Sequence, residues 1–152
     1  CKPRIAELLE CLEQVGGKAI VFVPLTGVLD MLKKKLGQKY KVEVVNGAVS
    51  LNERSRIFRE FQDGKGVDIL LAHPATMAHG LTLTSAKAII WYGPITSNEQ
   101  YTQANARTER IGKKHSTTVI HIAATELELR MFKRLENKQK LQGILLDILG
   151  ER

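Results

Sequence analysis

The stretch KAIVFVPLTGVLDMLKKKLG, residues 18–37, joins a short apolar run to a segment with a longer period. KAIVFV is rich in apolar and β-branched residues, which is typical of a buried strand. TGVLDMLKKKLG carries apolar residues at helical spacing and stops at Gly37, so a helix is predicted there. The loop PLTG (24–27) connects the two elements. Residues 18–37 therefore predict a strand followed directly by a helix.

The same alternation runs through the rest of the chain. Further predicted strands are YKVEVV, VDILLA, AKAIIWY and TTVIHIAA. Further predicted helices are KPRIAELLECLEQV, SLNERSRIFREFQ, SNEQYTQANARTER and TELELRMFKRLENKQKLQGILLDIL, the last as one helix or two. Ser50 with Glu53, and Thr125 with Glu128, have the spacing of capping boxes. Alternating strands and helices predict an α/β fold with a three-layer, doubly wound parallel sheet.

The composition sets broad limits on organisation and location. We expect the 152 residues to form one domain, residues 1–152, with a helical extension over about 125–152. Two cysteines, Cys1 and Cys11, provide neither a disulfide framework nor metal-ligand spacing, which favours a reduced intracellular protein. No apolar run is long enough to span a membrane, and no signal peptide is recognisable. The chain starts without a methionine, so we interpret it as a fragment of a longer protein.

The net charge of +7 and the isoelectric point near 9.5 are compatible with a polyanionic partner. A basic soluble protein without such a partner fits these numbers about as well.

In a doubly wound sheet, ligands bind beyond the carboxyl ends of the strands. In the first such loop, Thr26 and the N–H groups of the following helix suit an anion, although a simple N-cap is the alternative. The second such loop, NGAVS (46–50), contains Gly47 and Ser50. Arg54 and Arg56 follow near a helix N-terminus, where cations oppose the helix dipole. A bound anion would account for these arginines; a solvated helix face is the alternative.

The long loop AHPATMAHGLTLTSA (72–86) contains Thr76, His79, Gly80, Thr82 and Thr84. Hydroxyls and backbone amides suit phosphate contacts that carry no base information. The histidines have no cysteine or carboxylate partner at ligand spacing, so no metal site is predicted.

A nucleoside triphosphatase site is incomplete in this sequence. Gly16-Gly17-Lys18 resembles part of a phosphate loop, but these residues precede a strand and Ala19 follows the lysine. There is no Walker A loop and no acidic strand-end motif for magnesium. We therefore expect that this chain alone does not hydrolyse ATP.

The segment QANARTERIGKK (103–114) places Gln103, Arg107 and Arg110 on one face if it is helical. Such a stripe suits a negatively charged ligand, and a solvated helix surface is the alternative.

The order of these segments resembles the second RecA-like domain of superfamily-two helicases and translocases. The likeness is to the Swi/Snf-type branch, and within it to bacterial and phage members. Residues 18–36 resemble motif IV and its helix, ILLAHPATMAHGLTLTSA resembles motif V, and QYTQANARTERIGKK resembles motif VI. This resemblance implies a P-loop NTPase fold that lacks its own P-loop.

The resemblance implies a role for each matching residue. Arg110 would be the arginine finger on the γ-phosphate and Arg107 its supporting arginine, while Gln103 and Gly80 would contact the nucleotide. The nucleic-acid contacts would come from Thr26, Gly47, Ser50, Arg54, Thr76, Thr82 and Thr84. Three residues depart from the usual pattern of the family: Thr82 replaces asparagine, Gly93 replaces aspartate, and Lys113 replaces glutamine.

The resemblance also implies the partners. ATP and Mg²⁺ would be held mainly by an N-terminal RecA-like domain outside this chain, and neither is expected to be bound to this chain alone. The other partner would be the phosphate backbone of DNA, in the cytoplasm of a bacterial cell or a phage-infected host.

Two alternatives remain open: a non-enzymatic basic module that binds nucleic acid or protein, and half of an RNA helicase. The spelling QANARTER differs from the usual DEAD-box form, which begins with histidine and arginine.

Overall fold

The computed structural model describes residues 3–77, 82–108 and 117–150. The strands are β1 (Ala19–Phe22), β2 (Val42–Val45), β3 (Ile69–Ala72), β4 (Ala88–Trp91) and β5 (Thr118–His121). The helices are α1 (Arg4–Val15), α2 (Thr26–Leu36), α3 (Leu51–Asp63), α4 (Asn98–Ala106) and α5 (Glu126–Leu149), with a short 3-10 helix at Pro74–Met77. Each predicted strand is confirmed, and the last predicted helical segment is one continuous helix.

The strands form one parallel sheet in the order β2-β3-β1-β4-β5. Its register aligns the first residues of all strands at one edge and the last residues at the opposite edge. The inner strands β1, β3 and β4 are wholly buried, whereas β2 and β5 are partly exposed because they lie at the two sides of the sheet. This position explains the polar residues in the β2 sequence, which an inner strand of a parallel sheet excludes.

Helices cover both faces of the sheet and create two hydrophobic cores. On one face, residues from α3, α4 and α5 pack on inward side chains such as Phe22 and Trp91. On the other face, leucines of α1 and α2 pack on side chains such as Val21 and Ile90. The predicted three-layer, doubly wound architecture is confirmed. Successive side chains of each buried strand point alternately into one core and the other.

Several helix ends follow from local sequence. Gly16 ends α1 in the left-handed region (φ 62°), where glycine has no steric cost. Ser50 and Thr125 accept hydrogen bonds from the backbone N–H groups of Glu53 and Glu128, which confirms the N-cap half of both predicted capping boxes. In the described hydrogen bonds the two glutamates bond to other groups, Glu53 to Arg56 and Glu128 to Arg4 and Ala124 N–H.

The fourth helix is shorter than its sequence predicts. The pattern predicts a helix that reaches Arg110, but α4 ends at Ala106 with Arg107 as its C-cap. The carbonyl of Arg107 instead accepts a hydrogen bond from Leu83 N–H at 2.6 Å. The longer helix was predicted from the spacing of nearby residues, and that spacing contains no information about this contact between distant parts of the chain. Arg110 lies outside the described residues.

None of the helices in the described ranges has the length and hydropathy needed to cross a bilayer.

Candidate nucleotide and nucleic-acid interface

The candidate site lies at the carboxyl edge of the sheet. Pairing brings Phe22 level with Ala72 and Trp91, Ala72 level with Val45, and Trp91 level with His121. The segments that follow these residues therefore emerge at the same edge. Because parallel strands place their connections to the following helices here, this edge can collect groups from distant parts of the chain.

The loop after β1 presents an exposed hydroxyl. Thr26 is the first residue of α2, and the N-cap is Leu25, which makes no side-chain capping bond. The alternative interpretation of Thr26 as a simple N-cap is therefore wrong. An α2 N-terminus without a side-chain cap leaves the hydroxyl and the first N–H groups accessible to an external acceptor.

Arg54 and Arg56, which follow the loop after β2, differ in their hydrogen bonds, although the sequence suggests the same role for both. Arg56 forms a double hydrogen bond with the Glu53 carboxylate, with Nη2–Oε1 at 2.5 Å and Nε–Oε2 at 3.0 Å. The hydrogen bond from Arg56 lowers the pKa of Glu53. Arg54 is half-buried, and its Nε is buried without a hydrogen-bond partner in the described part of the chain. Arg54, rather than Arg56, is the arginine with unused donor capacity.

Gly47 and Ser50 complete this loop. Asn46 Oδ1 accepts from Ala48 N–H at 2.9 Å and closes a tight turn around Gly47, which is exposed. Apart from its two chain neighbours, no heavy atom of the described residues lies within 4 Å of a β-carbon placed on Gly47, so the space beside it is open in this part of the structure. Ser50 is exposed as well, with its hydroxyl accepting the capping bond from Glu53 N–H at 3.2 Å.

The long loop does not bring its threonines together. Thr76, in the 3-10 helix, is 6% exposed and donates its hydroxyl proton to His73 O at 2.7 Å. Thr84 instead accepts from Gln62 Nε2 at 2.7 Å. Gln62 lies in the last turn of α3, which returns to the amino edge of the sheet. Thr76 and Thr84 therefore lie at opposite edges of the sheet and do not contribute to one site.

Thr82 is exposed. His79 and Gly80 lie outside the described residues.

Arg107 links the end of α4 to both described flanks of this loop. Its Nε donates to Met77 O at 2.5 Å, and its backbone carbonyl accepts from Leu83 N–H at 2.6 Å. The motif VI-like and motif V-like segments are therefore in direct contact. Gln103, one turn earlier on α4, donates to Glu99 Oε1 at 3.2 Å. Gln103 thus lies in the last turn of α4 and Arg107 is its C-cap, while the common face that they are predicted to share with Arg110 stays a prediction.

A buried polar network that the sequence did not predict anchors α4. Trp91 Nε1 donates to Asn105 Oδ1 at 2.9 Å, and Asn105 is 7% exposed. Tyr101 OH lies 2.7 Å from His121 Nε2, and His121 Nδ1 lies 3.0 Å from Glu136 Oε1. These bonds join α4 to β4, β5 and α5. The sequence feature that could have indicated this network is Asn105, a polar residue on the same buried face of α4 as Tyr101 and Ala104.

Burial controls the protonation of this network. It raises the pKa of Tyr101 to about 12, so the phenol keeps its proton and can donate. Burial also lowers the pKa of His121, and the opposing attraction of Glu136 is smaller. A neutral His121 satisfies both neighbours, since Nδ1–H donates to Glu136 while Nε2 accepts from Tyr101.

No cluster of three or more His, Cys, Asp or Glu residues suited to a metal ion occurs within residues 3–77, 82–108 and 117–150.

Comparison with known proteins identifies the class. The fold is that of a C-terminal RecA-like domain of a superfamily-two helicase. Residues 3–112 match the family described as "Helicase conserved C-terminal domain". The chain belongs to this family.

Its curated relatives act in different settings. The chain is 31% identical over 152 residues to the DNA repair protein RAD5B of Arabidopsis thaliana, covering 95% of this chain and 12% of the relative. It is 33% identical over 106 residues to the DEAD-box ATP-dependent RNA helicase 53 of Oryza sativa subsp. japonica, covering 70% of this chain and 17% of the relative. This chain therefore spans less than a fifth of each of these relatives. Both come from plants, and they do not support the predicted bacterial or phage affinity.

Solved structures agree on the fold. The C-terminal part of the Fun30 ATPase domain superposes with a TM-score of 0.77 at 21% identity, covering 86% of this chain and 44% of that one. The C-terminal domain of the DEAD-box protein Dbp5 superposes with a TM-score of 0.71 at 20% identity, covering 89% of this chain and 77% of that one.

Proposed function

We propose that this chain is the C-terminal motor domain of an ATP-dependent DNA helicase or translocase of the Swi/Snf type. The observation that carries the proposal is the junction at Arg107, whose side chain and carbonyl bond to Met77 and Leu83. Through this junction, a displacement of the motif VI-like helix end is transmitted to the motif V-like loop. A motor requires such a connection between its nucleotide side and its nucleic-acid side.

On the nucleotide side, Arg110 is the proposed finger and Arg107 supports it. A planar guanidinium presents several donors at fixed angles and stays charged, so it can bind the charge that develops on a transferred phosphoryl group. Gln103 and Gly80 are proposed to contact the nucleotide. ATP is the substrate, and the triphosphate and Mg²⁺ are held mainly by an N-terminal RecA-like domain of the same protein.

On the nucleic-acid side, the proposed contacts are Thr26, Gly47, Ser50, Arg54 and Thr82. Exposed hydroxyls, open backbone and the unused donor of Arg54 suit phosphate oxygens and carry no base information. We leave out Thr84, because its hydroxyl is bonded to Gln62 at the other edge of the sheet, and Thr76, because it is buried and donates its hydroxyl proton to His73 O.

The extent of the sequence similarity favours a DNA-directed, Swi/Snf-type motor. Relatives of that type, such as RAD5B and the chromatin-remodeling ATPase INO80, match over 94–95% of the chain, including α5. The DEAD-box relatives match over 70%. A bacterial or phage source and a cytoplasmic location remain predictions from the sequence.

The decisive experiment replaces Arg110 in the longer protein. Arg110→Ala is expected to abolish nucleic-acid-stimulated ATP hydrolysis and to leave ATP binding largely unchanged, because the finger stabilises the transition state more than the ground state. Loss of an arginine finger reduces turnover by about 10³-fold or more in other phosphoryl-transfer enzymes. Arg110→Lys should restore little activity, since a point charge does not reproduce the planar fork. Steady-state hydrolysis at saturating DNA and a nucleotide-binding titration measure the two effects.

The matched control is Arg130→Ala on α5, which removes an exposed arginine whose only described ion pair is with Glu126 at 3.9 Å. The control should retain wild-type turnover. If the Arg110→Ala protein also retains it, the finger assignment is wrong and the motif VI-like segment serves only as a scaffold. Absence of nucleic-acid-stimulated hydrolysis by the unaltered longer protein would instead favour the non-enzymatic binding module.

Half of an RNA helicase is the second candidate, favoured by the DEAD-box relatives and by the Dbp5 superposition. ATP hydrolysis by the longer protein, measured once with double-stranded DNA and once with RNA as the activator, distinguishes the DNA-directed motor from the RNA helicase. Stimulation by RNA alone would replace the first candidate with the second.

A further inference from the structure

We infer a second polyanion-binding surface at the amino edge of the sheet, opposite the candidate site, which takes the phosphate backbone of nucleic acid. We call this surface the lysine rim. It consists of Lys33, Lys34, Lys35, Lys39, Lys41, Lys65 and Lys87, all of which are exposed. It goes beyond the proposed motor function, which assigns nucleic acid to the carboxyl edge alone.

Strand register creates the rim. The first residues of the five strands are aligned, so the residues that immediately precede them also form a row. In sheet order, this row begins with Lys41, Asp68, Lys18 and Lys87. Neighbouring strands lie about 4.8 Å apart, so Lys41 and Lys87 are about 14 Å apart at the backbone. No local sequence pattern displays this row, because its members come from separate connections.

Two neighbouring segments extend the row. The last turn of α2 carries Lys33, Lys34 and Lys35. Lys41 Nζ donates to Lys65 O at 2.9 Å, which brings the turn before β3 against the start of β2. Lysines in the last turn of a helix interact favourably with the helix dipole, and this interaction is sufficient to explain the three lysines of α2. It does not account for Lys41, Lys65 and Lys87, which lie in connections.

Most of this positive charge is not neutralised by carboxylates. Among the described ion pairs, only Lys39 of the rim takes part, with Glu13 at 2.6 Å. Lys41 bonds to a carbonyl, which satisfies its donor without cancelling its charge. Lys18, which we leave out of the rim, is occupied in the same way by the carbonyls of Phe61 and Gly64. Two further carboxylates lie beside the rim: Asp68 accepts from Lys41 N–H at 3.0 Å, and Glu60 accepts from Gly66 N–H at 2.8 Å. Seven lysines outnumber these carboxylates and Glu13, so the rim keeps a net positive charge.

The chemistry of the rim favours a phosphate backbone. Lysine is a compact charge on a flexible stem, suited to phosphate contacts that do not depend on base sequence. A duplex carries one charge per about 3.4 Å of axis on each strand, and its strands wind around that axis, so a straight row of about 14 Å can contact about two phosphates. Stable attachment to a lipid surface draws on buried apolar area as well as on basic charge. The exposed large apolar residues concentrate on α5, outside the rim, so nucleic acid is the better match.

The test uses the full chain and two variants with equal charge loss. The rim variant combines Lys34→Gln, Lys35→Gln, Lys65→Gln and Lys87→Gln. The control combines Lys133→Gln, Arg134→Gln, Lys138→Gln and Lys140→Gln, all exposed positions on α5. Fluorescence anisotropy measures binding to a labelled duplex between about 50 mM and 200 mM salt. Circular dichroism and thermal melting establish that both variants fold.

We expect the rim variant to bind the duplex about tenfold more weakly. The slope of log affinity against log salt concentration should become about two units shallower, since each lost phosphate contact removes about 0.9 and we expect about two contacts to be lost. The control should change affinity about twofold or less. Equal losses in both variants would show a general effect of net charge and would overturn the inference. Undiminished binding by a folded rim variant would overturn it as well.

If the rim variant does not fold, chemical footprinting of the unaltered chain tests the same inference. Acetylation of Lys34, Lys65 and Lys87, followed by mass spectrometry, should be slowed by duplex DNA more than acetylation of Lys138. Protection by anionic phospholipid vesicles but not by DNA would overturn the assignment to nucleic acid. The Arg110→Ala experiment tests the motor function separately, so either conclusion can fail while the other stands.

Discussion

His121 is the residue whose protonation most directly affects the packing of α4 and α5. Burial lowers its pKa below the ordinary value of 6.5, so the folded state favours the neutral ring. The unfolded state therefore binds the proton more readily, and stability rises with pH in this range. The contribution of His121 is complete above about pH 6.5 and is lost as the pH falls through the lower folded-state pKa. We expect the free energy of unfolding to decrease over that interval.

Comparison with His121→Gln isolates this effect, because glutamine retains hydrogen-bonding groups but does not titrate. Urea unfolding at several values from about pH 7.5 to pH 5 should show a steeper decline in the wild type than in the variant. Parallel declines would mean that other groups account for the acid sensitivity. They would also count against a neutral His121 between Tyr101 and Glu136.

Among the helices, α2 and α3 begin in different ways, and this difference separates stability from binding. Ser50 caps α3 through a bond from Glu53 N–H at 3.2 Å, whereas α2 starts without a side-chain cap. Ser50→Ala should therefore lower the free energy of unfolding by about 1 kcal/mol. Thr26→Ala, the matched change at the first residue of α2, should alter it by less than about 0.5 kcal/mol. Urea titrations of both variants measure the difference.

DNA binding provides the second comparison. Thr26→Ala should weaken DNA binding despite its small effect on stability, because the proposed role of this hydroxyl is a phosphate contact. A large loss of stability in Thr26→Ala would instead indicate a capping role that the described hydrogen bonds do not contain.

For the molecule as a whole, the chain of residues 1–152 should not hydrolyse ATP, with or without DNA. The only phosphate-loop-like sequence, Gly16-Gly17-Lys18, lies before β1 at the amino edge. The amine of Lys18 already donates to Gly64 O at 2.9 Å, in the turn after α3. It is thus a structural residue at the edge opposite the one where such sheets bind phosphates. Phosphate release by a purified sample, measured beside a no-protein blank, checks this expectation. DNA-stimulated turnover would refute it.

Local sequence was sufficient for the type and order of the strands and long helices and for the architecture, but not for the end of α4. Buried strands such as Ile69–Ala72 are continuous apolar runs, and helix boundaries such as Ser50 and Gly16 carry their own capping chemistry. Alternation of the two periods then implies a parallel sheet with helices on both faces. These signals work because they act between residues that are close along the chain.

Tertiary structure alone decided which distant residues meet. It ended α4 at Ala106, bonded Arg107 to Met77 and Leu83, and moved Thr84 to the edge opposite Thr76. It also assembled the network around His121 and aligned lysines from separate connections along the amino edge. Such contacts depend on sheet order and register, which arise from the packing of all five strands. The period of any single segment contains no information about its partners in space, because each segment can pack in its preferred conformation against many different neighbours.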